Sequence, residues 1–312
     1  MGKKDFEKAL AELEELRHAP GAAFTVEGLR KALGRKNNYI VAKAAQIAAQ
    51  LELEILLPEL LSAFDRFFIN AARSDPQCWA KNAIGRALAE LGHDDAAVFI
   101  RGLEHRQMEP VWGGQQDTAG ALRGNSAHAL SQCRGLSYLD ILSHLVPPLM
   151  DSDKTVRVEA ARSIGELGRP EGALLLRLRA LAGDEEPEVL GACFLALLGI
   201  EGRAGIPFVA RFLDSSMDSL GDMCAEAALA LASIHQPEVF EILKARFERG
   251  RSRPAALLSA IALTRQPEAL EYLARMVESR APGAQAALAA LSSVPVPPQM
   301  RARLVSIRFP DK

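Results

Sequence analysis

An aspartate followed six positions later by a basic residue recurs three times, as Asp75/Lys81, Asp117/Arg123 and Asp151/Arg157, and a turn follows each basic member by eleven positions, at Gly92, Arg134 and Gly168. A chain built around one irregular core has no reason to keep such a phase. Self-similarity at a fixed period marks an array of like units, each too small to bury its apolar face alone, so that stacked neighbours supply the core.

The clearest unit runs from Asp151 to Gly168. Val156, Ala160, Ala161, Ile164 and Leu167 fall at helical spacing on one face, Asp153 is placed to cap the helix start, and Gly168 suits the residue just past its end. Arg169-Pro170-Glu171 then restarts a second helix carrying Leu174, Leu175, Leu178 and Leu181. Proline fits that first turn because its missing N–H has no helical partner there. The same restart returns as Gln236-Pro237-Glu238 and Gln266-Pro267-Glu268, and Leu91-Gly92 and Leu198-Gly199 mark the same turn elsewhere. With turns at 92, 134, 168, 199, 235 and 265, the steps are 42, 34, 31, 36 and 30 residues. Two helices per step predict an all-α fold, an α-solenoid (an α/α superhelix of armadillo/HEAT-like type) of about eight antiparallel helix pairs. Hydrophobic residues make up 49% of the chain and aromatics only 5%, so the core is to be built from small aliphatic side chains that let helices pack closely. One continuous domain over 1–312 is expected: residues 1–22 with an amphipathic capping helix (Phe6, Leu10, Leu13, Leu16), repeats over 24–292, and a last capping helix in 295–312 after Pro295-Val296-Pro297-Pro298.

The Asp-x5-basic pattern on the second helix, followed by an Ala-rich stretch and a Leu-Gly turn, resembles HEAT repeats, and Asp151–Gly168 looks most like bacterial phycocyanobilin-lyase-type HEAT-like repeats. The resemblance covers roughly residues 24–292; it is strong over 137–182 and weak before residue 70, and the basic position becomes Glu188, Cys224 and Pro254 in later units. It implies that Asp75, Lys81, Asp117, Arg123, Asp151 and Arg157 form a structural ladder of hydrogen bonds between neighbouring turns. A repeated position is in any case a poor place for a unique catalytic centre.

Charge is uneven along a chain whose net charge is only −2: residues 1–150 are near neutral, 151–240 carry 8 basic against 15 acidic side chains, and 241–312 carry 12 against 6. Basic and acidic groups nearly balance over 66–134, which does not make the positive stripe expected of a general polyanion binder. Cys78, Cys133, Cys193 and Cys224 lie far apart within helical patterns and read as buried, reduced thiols of a soluble, cytoplasmic protein. No secretory leader, no bilayer-crossing segment, no metal-ligand spacing among the six histidines and no nucleotide-binding or nucleophile-elbow motif is read, so neither cofactor, metal nor membrane partner is expected. His128, on an Ala-rich helix, reads as a core residue.

Two features break the period. The 42-residue step holds roughly 8–10 extra residues between two helices, in Glu104–Asp117, where Trp112-Gly113-Gly114 brings an aromatic face next to open backbone. Trp112 either meets a partner or folds back over a gap between repeats. Trp112, Gln115, Gln116, Arg123, His105 and Arg106 are the candidate partner-binding residues, with Trp112 and Arg123 foremost. The second feature is Arg249, Arg251 and Arg253 around Gly250, a basic turn that reads either as a solvated turn or as an anion contact.

The function expected is that of a non-catalytic scaffold binding a protein or peptide through its concave surface and the 107–117 loop, with the oligomeric state left open. The resemblance implies two alternatives. One is a nucleic-acid-binding protein such as an alkylpurine DNA glycosylase, in which Trp79, Trp112 and Asp117 would supply the aromatic and acidic groups and Lys81, Arg86, Arg123 and Arg157 the phosphate contacts. The other is a chromophore lyase or its chaperone-like partner.

Overall fold

Proline at the first turn, small residues along the seam and a left-handed turn every thirty-odd residues make the chain an array of helix pairs. The computed structural model describes residues 3–18, 23–214, 221–250 and 255–305. By its internal packing the chain divides into two units, residues 1–163 and 164–312, with the boundary inside one helix.

In the first unit, α1 (Lys3–Arg17) packs on α2 (Ala23–Leu33) and α3 (Asn38–Gln50), burying Ala9 and Leu13. Next come α4 (Leu57–Phe67), the single-turn α5 (Ala71–Ser74), α6 (Trp79–Glu90) and α7 (Ala96–Glu104). A hairpin of β1 (Met108–Val111) and β2 (Gly114–Asp117) follows, then α8 (Gly120–Gln132), α9 (Tyr138–Leu145) and the start of α10 (Lys154–Leu167). The second helices α3, α6 and α8 pack side by side; their buried faces are mostly small or aliphatic residues, with Lys81 on α6 and Arg123 on α8 buried among them. The helix starts are capped by polar side chains: Asn37 accepts from the Ile40 amide, Asp95 from Ala97 and Asp153 from Thr155. Each satisfies a donor that the helix itself leaves unpaired.

The second unit continues from the end of α10 through α11 (Pro170–Ala182), α12 (Pro187–Glu201), α13 (Ile206–Ala210), α14 (Gly221–Ser233), α15 (Pro237–Arg249), α16 (Ala255–Leu263), α17 (Pro267–Glu278), α18 (Ala284–Ser292) and α19 (Pro298–Val305). Here α12, α14, α16 and α18 form the seam. The seam is so apolar that Pro187–Asp214 reaches bilayer-crossing length with a mean hydropathy of 1.6, against the expectation that no segment would. Its apolar window is 61% buried in the packing and 3-10 turns interrupt it at Gly202–Gly205 and Arg211–Asp214, so it reads as a core helix.

One sequence expectation shifts in this unit. The turn predicted at Gly199 lies at Gly202, which takes φ +56, while α12 runs on through Glu201. The turns at Gly168, Gly202, His235 and Arg265 all adopt left-handed φ, which makes the period more even than Gly199 implied. Leu174, Leu178 and Leu181 point outward, 67%, 67% and 59% exposed, and α11 buries Ala173, Leu176 and Ala180 instead. Three consecutive leucines leave the helix phase ambiguous; the close seat of Gly172 on Ile164 decides it.

Candidate interaction site: a braced hairpin and an adjoining groove

The candidate site lies in the first unit, where the Asp-x5-basic positions meet the inserted residues. Asp75 and Lys81 are both fully buried. The Asp75 carboxylate accepts from the amides of Ala80 (2.8 Å) and Lys81 (3.0 Å), from Lys81 Nζ (2.9 Å) and from Asn38 Nδ2 (2.9 Å). Lys81 Nζ also donates to the Phe67 carbonyl at 3.2 Å and sits over the Phe68 ring. Two charges taken out of water need this many partners, since desolvation otherwise outweighs their attraction.

The next ladder members do not pair simply within their own unit. Arg123, 1% exposed, holds Asp117 at 2.7 Å, and reaches forward to grip Asp151 through Nε (2.9 Å) and Nη2 (3.0 Å). It also donates to the His105 carbonyl at 3.0 Å. Arg157, the expected partner of Asp151, donates instead to the main-chain carbonyls of Asp151 (2.8 Å) and Ser152 (3.3 Å). Arg106 closes the cluster on Asp151 (2.8 Å) and Asp117 (3.4 Å). Burial alone would raise the Asp151 and Asp117 carboxyls, but hydrogen bonds outweigh it: from Arg123, Arg106 and the Asp153 amide at Asp151, and from the Gln107 and Ala119 amides with Arg123 at Asp117. Both are held below the ordinary carboxylate range.

On this base stands the hairpin, which the sequence reading took for an irregular loop. Its Trp112-Gly113 turn has Gly113 at φ +88, a position that only the second residue of a type II turn requires and that glycine fills without strain. Glu109, missed in the sequence, points down from β1 into the base. Its Oε1 accepts from the Gln77 amide (2.7 Å), Gln107 Nε2 (2.6 Å) and Thr118 Oγ1 (2.7 Å). Burial pushes this carboxyl up; the hydrogen bonds from Gln107, Thr118 and Gln77 prevail and hold it low. Gln107 further ties the Asp75 carbonyl (2.8 Å), so hairpin and ladder form one network.

The candidate residues therefore separate. Trp112 stands fully exposed (103%) at the hairpin tip, and Gln115 and Gln116 are exposed on β2. Trp112 does not fold back over a gap. Arg123, expected to meet a partner, is corrected to the ladder role alone, because a buried guanidinium with every neighbour an acid or carbonyl has no free face. His105 is half-buried, its ring 4.8 Å from Phe68 and its Nε2 3.2 Å from Gln107, and burial pulls its pKa down. Arg106 is half-exposed with its guanidinium turned to the two aspartates. Arg249 is exposed at the end of α15; Arg251 and Arg253 lie outside the described residues.

Beside the hairpin base, α3 and α6 flank a groove lined by Tyr39, Lys43, Gln46, Trp79, Asn82 and Arg86, and it continues between α6 and α8 past Glu90, Asn125, His128 and Gln132. His128 is exposed here, not a core residue, because the alanines on either side of it take the buried face. Tyr39 meets Trp79 edge-on at 5.5 Å, and Asn125 Nδ2 donates to Asn82 Oδ1 at 2.6 Å. The walls are amides, aromatics and mixed charges, a surface that offers hydrogen bonds and stacking without a net field.

The four cysteines are free and buried, and burial pushes Cys78 and Cys193 up to about 12 and Cys133 up to about 11. A thiol so placed is not a nucleophile at neutral pH. Among the described residues no group of three or more histidine, cysteine, aspartate or glutamate side chains is arranged to hold a metal ion.

No family profile and no curated protein matches the chain. Among solved structures it is similar to human deoxyhypusine hydroxylase in complex with glycerol, at 16% identity over 81% of this chain and 88% of that one, TM-score 0.32. It is also similar to the complex of CpcE and CpcF of phycocyanin lyase from Nostoc sp. PCC7120, at 18% identity over 90% and 94%, TM-score 0.37. At such identities and scores neither likeness carries an argument about activity. The helix pairs themselves make this a HEAT-like α-solenoid fold.

Proposed function

We propose that this chain is a non-catalytic scaffold that binds a protein or peptide partner through the hairpin of residues 107–117 and the second-helix face of the first unit. One observation carries the reading: a fully exposed tryptophan is held at the tip of a hairpin whose base is locked by buried charges. An indole left in water on a rigid support suits capture, since burying it on association loses little conformational entropy, and tryptophan is enriched among residues that dominate binding energy. The groove adds the Asn82 and Asn125 amides, which carry donor and acceptor together and so match a peptide backbone.

The glycosylase reading loses its acid, because the Asp117 carboxylate is committed to Arg123 and two backbone amides. Glu90 and Asp94 in the groove offset Lys43, Arg86 and Arg134, so it does not present the positive stripe that a phosphate backbone calls for. The chromophore-lyase reading rests on the repeat resemblance alone.

The test is affinity capture from nuclease-treated lysate with wild type and Trp112→Ala as baits. A protein retained by wild type and lost by the variant supports the scaffold. Capture that nuclease abolishes, or that Trp112→Ala leaves intact, removes the hairpin from the function.

A further inference from the structure

The two edges of the hairpin are chemically unequal. Antiparallel pairs alternate between those that exchange N–H···O bonds and those whose main-chain groups point outward. The register pairs Met108 with Asp117, Glu109 with Gln116, Pro110 with Gln115 and Val111 with Gly114. A two-residue turn makes Val111/Gly114 an exchanging pair. The Thr118 amide, donating to the Gln107 carbonyl at 2.9 Å, sets the same parity from the base. Glu109/Gln116 therefore exchange bonds, and Pro110/Gln115 turn theirs outward.

On β1 the outward residues are Met108 and Pro110, and because Pro110 has no N–H a ladder on that edge breaks beside the tip. On β2 the outward residues are Gln115 and the half-buried Asp117; the parity turns the Gln115 N–H and C=O to this edge, and its neighbours Gly114 and Gln116 are exposed. Natural sheets guard open edges with proline, lysine or a bulge. This hairpin guards one edge and leaves the other bare beside Trp112.

We propose that the outer edge of β2 accepts a third strand: an extended, proline-free segment of the partner pairs with the main chain of Gln115 and lays an apolar residue against Trp112. The occupant follows from the hydrogen bonding. An outward N–H and C=O on one residue of an extended strand find their complement in another extended main chain, and alternate side chains of that strand then reach the indole. This inference rests on the reading of the hairpin as a partner-binding element.

The experiment selects peptides on the full-length wild-type chain from a random dodecapeptide display library. Affinities of the selected peptides are then compared for Gln115→Pro, Gln115→Ala and Trp112→Ala. Gln115→Pro deletes only an outward N–H, so amide exchange of Val111, Gly114 and Gln116 should match wild type, a check that the hairpin persists. The expected result is a loss on the order of tenfold for Gln115→Pro, the scale of one main-chain bond plus its steric consequence. Gln115→Ala keeps the backbone and should bind like wild type. Equal losses in both Gln115 variants would overturn the inference, because the side chain would then be the contact. So would peptides lost by Trp112→Ala and untouched by Gln115→Pro, which leaves the partner-binding reading standing. Self-association of wild type that Gln115→Pro abolishes would overturn it in favour of a second copy at the edge. A selection that returns no peptide sensitive to Trp112→Ala removes both readings together.

Discussion

Arg123 and Asp151 lie 28 residues apart and form a two-pronged pair, with Nε and Nη2 of the guanidinium 2.9 and 3.0 Å from the two carboxylate oxygens. The basic residue of one helix pair thus serves the acid of the next, and the bond welds consecutive repeats together.

Asp151→Ala takes the two-pronged partner from a buried guanidinium that keeps Asp117 and the His105 carbonyl. A loss of about 1.5–3 kcal/mol is expected, the scale of charge-assisted hydrogen bonds removed from a group that is still paired. Arg157→Ala removes hydrogen bonds to the Asp151 and Ser152 carbonyls, worth about 1 kcal/mol, together with whatever else this half-exposed side chain contacts. Urea unfolding monitored by circular dichroism compares the two; equal losses would contradict the assignment of Asp151 to Arg123.

Trp112→Ala should leave the unfolding temperature unchanged, since a side chain wholly in water contributes no packing. Peptide or partner capture should fall with it, by about 2 kcal/mol or more if the indole is an anchor. A drop in unfolding temperature without a drop in capture is the contrary result.

Glu109→Ala strands the Gln77 amide and the Gln107 and Thr118 donors beneath the hairpin. Hydrogen exchange across 107–118 should accelerate markedly while the amides of α12 and α14 keep their protection. Glu109→Gln should be intermediate, because its carbonyl oxygen can keep the three bonds that Oε1 accepts while its NH2 group, at the Oε2 position, meets the Gln77 Nε2 donor and the negative charge is lost. Unchanged exchange in Glu109→Ala would mean that the base is not the brace.

Acid should destabilise the chain in two windows. His105 has a folded pKa below its ordinary value, so below about pH 6.5 the unfolded state takes up a proton that the folded state refuses, and stability falls until the folded pKa is passed. Asp117, Asp151 and Glu109 have depressed folded pKa values; their contribution is whole above about pH 4 and is lost as pH drops through those lower values. Urea midpoints from pH 8 to 3 for wild type and His105→Gln test this. The variant should lose the upper window and keep the lower one.

Much of the architecture was legible because periodicity is a property of many residues at once. The Pro170, Pro237 and Pro267 restarts, the Asp153 cap and the buried cysteines lie where the pattern put them. The misses are local. Gly199 has the composition of a turn, yet α12 stays helical to Glu201 and ends at Gly202, the next glycine, which takes the positive φ. The hairpin escaped notice because four-residue strands, one containing a proline, fall below any alternation signal; Trp112-Gly113 was its one clear mark. Glu109 could have been found only through it, as an acid on the inward position of a strand over buried donors. The forward grip of Arg123 on Asp151 was invisible for another reason: equal spacing within each unit suggests pairing within the unit, and only the inserted residues, which bring His105 and Arg106 alongside, redirect the guanidinium.

That forward grip also limits how this array can change by gain or loss of repeats. Excising or duplicating the segment between Arg123 and Asp151 would break the cross-repeat bond at the new junction and leave the buried guanidinium only Asp117 and the His105 carbonyl. Beyond residue 164 the corresponding positions are Glu188, Cys224 and Pro254, and a cross-repeat pair such as Arg203 with Glu238 lies on a well-solvated arginine. Recombination, natural or in the laboratory, should find its tolerated splice points in the later repeats and be refused in the earlier ones.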